Sequence, residues 1–188
     1  MEDLFNLGKL RLQPASFFSR PELNQAVRDD ELSLPLSFSL TKQQLKALVA
    51  NPQDVPESVS EHRLDIEFSS SADFWMYCVT QSVEPRLVVD FEAEACVLVR
   101  HRDEFRKRLI ESARDATSNA TMREGAAIYV DPLLPKTPKI FVPLSKPFGY
   151  SYQDEYRFCW LPEPANPRLG PLDICIGSID DIAELIVL

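Results

Sequence analysis

Two hydrophobic periods run along this chain and divide it into strands and helices. Alternation by twos appears at Lys9 to Leu12 and most cleanly from His62 to Phe68, where Leu64, Ile66 and Phe68 fall on one side and charges on the other. Ser33 to Ser39 alternates more weakly. Two continuous apolar runs of strand length, Phe74 to Val79 and Ala95 to Val99, predict central strands covered on both faces. Further strands are expected at Ala126 to Val130, Lys139 to Val142, Glu155 to Leu161 and Leu172 to Ile176.

Helical spacing marks the rest. Residues 2 to 7 predict a short helix ended by Gly8. Thr41 followed by Gln44 matches a capping box opening a helix through Ala50, stopped at Asn51-Pro52. From Asp103 to Ala116, Phe105, Leu109, Ile110 and Ala113 recur on one face. Short helices are expected at Glu22 to Val27, inside an irregular excursion from Pro14 to Leu32, and at Pro85 to Phe91. A final helix is expected after Ser178 as its cap, with Ile182, Leu185 and Ile186 as the apolar face. Strands outnumber helices without regular βαβ alternation. The expected class is therefore α+β: a single globular domain over residues 1–188, with a mixed or largely antiparallel sheet and peripheral helices.

Composition narrows the function classes. With 15 prolines against 5 glycines, stiff irregular connections are expected rather than tight glycine turns, including a Pro-rich join from Pro132 to Pro138. A formal charge of −9 repels phosphate, and the densest basic run, Arg100 to Arg108, is broken by Asp103 and Glu104. Nucleic acid is thus an unlikely partner. Cys78, Cys96, Cys159 and Cys175 lack metal or redox spacing and predict buried free thiols in a reducing cytoplasm. His62 and His101 each sit beside arginine, which disfavours a metalloenzyme or a Ser-His-Asp hydrolase. No apolar window approaches the length that spans a bilayer.

The richest chemistry lies at residues 146 to 161. As a strand, this stretch puts Tyr156, Phe158 and Trp160 on one face and Glu155, Arg157 and Cys159 on the other. Two readings follow. In the first, the aromatics fill a core while Glu155 and Arg157 pair at the sheet margin. In the second they line a pocket, with Glu155 held ionised by Arg157 and with Tyr150 and Tyr152 as stacking walls.

The pieces Leu4 to Leu12, Phe74 to Thr80 and Tyr152-Gln153-Asp154-Glu155-Tyr156-Arg157-Phe158 resemble a family of uncharacterised bacterial domains with a C-terminal Y-x-x-E-[YFW]-R signature. Gln153-x-Glu155 is also similar to the Gln/Glu-x-Glu element of ADP-ribosyltransferases. That resemblance implies NAD as cofactor. It implies Glu155 as the catalytic carboxylate facing an oxocarbenium-like ribose, and Gln153 as the residue orienting the acceptor. Arg157, Tyr152 and Arg11 would then hold the dinucleotide, with Arg11 in the place of the first-strand basic residue. The sequence departs from that family in its middle motif, since Ser69-Ser70-Ser71 reads as a polar turn. The alternative is a non-catalytic acidic module, antitoxin-like or immunity-like, that docks on a basic protein partner.

Overall fold

The computed structural model describes residues 1–48, 51–56, 61–131 and 140–188. The first elements are helix α1 (Glu2–Leu7) and strand β1 (Lys9–Pro14), joined at Gly8. Gly8 adopts φ 64° and donates its N–H to the Leu4 carbonyl, a left-handed cap that a side chain would strain. In addition, a Cβ there would run into the Gly177 backbone.

An excursion then leads to β2 (Ser33–Thr41), α2 (Lys42–Leu48) and β3 (Glu61–Ser69). The capping box closes α2 as expected: the Thr41 N–H donates to Gln44 Oε1 at 2.9 Å, and the Gln44 N–H reaches Thr41 Oγ1 at 3.4 Å. Positions 49 and 50 of the expected helix lie outside the described residues. β2 and β3 pair along nine positions. The inward Leu34, Leu36, Phe38 and Leu40 form an apolar cluster with Val130.

Next come β4 (Trp75–Thr80), α3 (Pro85–Asp90), β5 (Ala95–Val99), α4 (Arg102–Ala113), β6 (Ala120–Ala126) and β7 (Ile128–Val130). The last elements are β8 (Ser145–Pro147), β9 (Glu155–Pro162), β10 (Leu172–Cys175) and β11 (Ala183–Val187). The main sheet runs β10-β1-β4-β9-β6, antiparallel throughout. β5 pairs antiparallel with β11, and β7 pairs parallel with β8. The fold is α+β.

Two apolar clusters sandwich the main sheet. On one face, Leu12, Phe158 and Trp160 pack against Phe105, Leu109 and Ala113 of α4. Full burial of a side chain such as Leu109 is worth about 2 kcal/mol. On the other face, Met76 and Cys159 meet Ala15 and Phe74, with Phe18 and Leu32 of the excursion over them. No helix among the described residues is long and apolar enough to cross a membrane.

Several expectations need correction. The final segment is strand β11, not a helix: its β-branched residues favour a pleated surface, and Ala183 to Val187 find a full ladder in β5. Ser178 Oγ accepts the Asp180 N–H at 3.3 Å in a turn, so its capping chemistry serves a bend. Residues 22 to 27 form turns, because Asn24 Oδ1 accepts the Ala26 and Val27 N–H groups. β5 belongs to a two-stranded sheet with Leu98 exposed, so it is not a central strand. The strand expected up to Val142 is replaced by a 3-10 turn at Val142–Leu144, set by Pro143. Lys139 and the join at 132–138 lie outside the described residues. The strand expected from Ala126 to Val130 is found as Ile128–Val130 of β7, while Ala126 closes a separate strand, β6, that begins at Ala120. The four cysteines are free, but Cys78 and Cys175 are exposed and Cys96 is half-buried; only Cys159 is buried.

Candidate functional site

A 3-10 turn at Phe148–Gln153 delivers the chain into β9 through Asp154, which sits in the left-handed region at φ 43°. The Gln81 N–H donates to the Asp154 carbonyl at 2.8 Å, and Thr80 Oγ1 donates to the Gln153 carbonyl at 2.8 Å. These bonds from the end of β4 over-determine an unfavourable backbone conformation, which is how such conformations persist. One consequence is that Gln153 and Glu155 both enter the same interior cluster.

β9 lies between β4 and β6, so Glu155 and Arg157 sit on an interior strand, Glu155 at its first position, rather than on an edge strand. Arg157 is 0 % exposed. Its Nε donates to Glu155 Oε2 at 2.8 Å. Its two terminal nitrogens meet both oxygens of Glu31, at 2.8 and 2.9 Å, and one of them also reaches the Pro143 carbonyl at 3.2 Å. A planar fork suits this work because its donors are fixed in the plane of the carboxylate.

Lys146 on β8 is the second cation. Its Nζ donates to Glu155 Oε1 at 2.7 Å and Gln153 Oε1 at 2.9 Å, and lies 3.5 Å from Glu31 and 3.8 Å from Asp29. The Tyr150 ring covers it at 4.6 Å. Gln153, 2 % exposed, uses its amide nitrogen on the Ala26 carbonyl at 2.9 Å. Tyr152 stacks under the Arg86 guanidinium at 3.8 Å. The Glu155 N–H donates to Tyr129 Oη at 2.8 Å.

Electrostatics follow from this packing. Burial alone would raise the Glu155 carboxyl, but Arg157 and Lys146 outweigh it and hold the group below its ordinary value of 4.5. Burial opposes the Lys146 charge, and Glu31 with Glu155 more than restores it. Asp29 is pushed up to about 6 by burial and by the neighbouring Glu31 charge. Three carboxylates therefore face two cations, and Asp29 is the one that gives way.

The cluster ties the excursion to the sheet. Glu31 and Asp29 anchor its far end. At its near end the buried Asp73 accepts the Ser16 N–H at 3.1 Å and the Ser16 hydroxyl at 2.6 Å. Gln153, Glu155, Arg157 and Tyr152 are thus brought together, whereas Arg11 is not among them. Arg11 lies on the exposed face of β1, bonded to Asp173 of β10 at 2.6 Å, with β4 between its strand and that of Glu155. Ser70 Oγ donates to the Ala72 carbonyl at 2.7 Å in a turn after β3.

Lys146, Glu31, Asp29 and Asp73 were not singled out from the sequence. Lys146 carried a signal, a lone cation between Ser145 and Pro147 opening an aromatic segment. Glu31 and Asp29 carried none beyond local acidity. No family model, curated protein or solved structure matches this chain.

Proposed function

We propose that the chain is a non-catalytic protein-binding module whose Gln153-x-Glu155 element organises the fold. One observation carries this reading. Both oxygens of Glu155 accept a charged donor from within the chain, Lys146 on one side and Arg157 on the other. A carboxylate so engaged holds Lys146, Arg157 and, through them, Glu31 in place. The formal charge of −9 favours a basic partner and speeds its approach. Free thiols, two of them exposed, suit a reducing compartment such as the cytoplasm.

The competing reading is an NAD-handling transferase of bacterial type, and it has one observation on its side. The Glu155 side chain keeps 12 % exposure and is held ionised, as a group facing a cationic ribose must be. Calorimetric titration with NAD separates the two. The binding reading expects no saturable heat from the wild type. Saturable binding that disappears in a folded Glu155→Gln variant would overturn it.

A further inference from the structure

We infer that the end of the molecule formed by α3, the bend after it and the β5–β11 sheet is the docking surface, and that its occupant is a basic, apolar segment of a partner protein. This inference rests on the binding reading above and names the partner's chemistry.

Several large apolar side chains are exposed here. Val83 precedes α3 and Val89 lies within it, at 77 % and 73 % exposure, Phe91 follows the helix, and Val187 on β11 stands 80 % exposed. The main chain brings these parts together. The Ala93 N–H donates to the Val88 carbonyl at 2.9 Å, which folds the bend back on α3. The Leu188 N–H donates to the Glu94 carbonyl at 3.0 Å, which ties β11 to the bend. Exposed apolar residues gathered at one end of the chain's fold by such main-chain links mark an interaction site more strongly than apolar residues scattered singly.

The rim has one sign. Glu84, Glu92 and Glu94 are exposed, and none has an ion-pair partner among the described residues. The exposed cations on α3 and at the far end of β5 are engaged already, Arg86 with Asp90 and Arg100 with Glu184. A second copy of this chain would set these glutamates against their own counterparts. A segment that alternates lysine or arginine with apolar residues would satisfy both rim and centre. The β5–β11 sheet has only two strands among the described residues, so an extended segment laid along its edge gains main-chain hydrogen bonds as well.

Panning a displayed library of random dodecapeptides on the full chain tests this. Enriched peptides should carry lysine or arginine among apolar residues. A synthetic representative should bind at least tenfold more weakly to the Val89→Asp and Val187→Asp variants, and more weakly to Glu94→Lys. All three positions are exposed, so the fold is retained. Absence of enrichment, enrichment of neutral or acidic peptides, or equal binding to the three variants would overturn the surface. Basic peptides that bind all variants equally would leave the binding reading standing at another face, whereas the NAD titration addresses that reading itself.

Discussion

Arg157 and Glu31, 126 positions apart in the chain, meet through two near-parallel contacts of 2.8 and 2.9 Å in the interior. The pair joins β9, an interior strand of the main sheet, to the end of the excursion, and Glu155 closes the other side of the guanidinium. The cation is shared between two carboxylates, so its removal takes the two nearest donors from Glu31 and leaves Glu155 with Lys146 alone.

Replacing Arg157 with methionine should therefore destabilise the fold by about 3–5 kcal/mol, the cost of leaving buried charges without their partner. Arg157→Lys, which keeps the charge but loses the fork, should fall between this variant and the wild type. Urea unfolding followed by the fluorescence of Trp75 and Trp160 reads both. A loss under 1 kcal/mol for methionine would show that the cluster contributes little.

Much of the fold was legible because the local and global signals agreed. The Leu64, Ile66 and Phe68 alternation, the Thr41–Gln44 box and the Phe105, Leu109 and Ala113 stripe each describe a surface that one neighbour can bury, and each was found. β11 was misread because Ile182, Leu185 and Ile186 fit a helical stripe equally well, and only the ladder to β5 decides. The partition of β9 into an aromatic face and a Glu155–Arg157 face was visible from period two. Its charge partners were not, since Glu31 and Lys146 reach Arg157 and Glu155 through tertiary packing that no spacing encodes.

Asp29 gives the cluster a pH dependence of definite sign. Its carboxyl titrates at about 6 in the fold against an ordinary 3.8, so the folded state binds this proton more tightly than the unfolded chain. The cost of its charge is fully present above about pH 6 and absent below about pH 4, and a rise of that size corresponds to about 3 kcal/mol. Stability should increase from pH 7 to pH 5. Below its ordinary 4.5, Glu155 acts in the opposite direction, because its lowered value makes its contribution disappear on protonation. Asp29→Asn should be more stable than the wild type at pH 7 and should lose the gain on acidification. Chemical unfolding at a series of pH values checks this, and an unchanged profile in the variant would assign the dependence elsewhere.

Glu155 holds the fold through its two cations, and the unfolding free energy of Glu155→Gln measures that role. A carboxylate kept for chemistry is held at a cost, so its neutralisation leaves stability unchanged or raises it. A carboxylate that partners two buried cations gives the opposite result. Glu155→Gln should lose about 3 kcal/mol at neutral pH, with Lys146 and Arg157 left short of negative charge. Unchanged or increased stability in Glu155→Gln would contradict it.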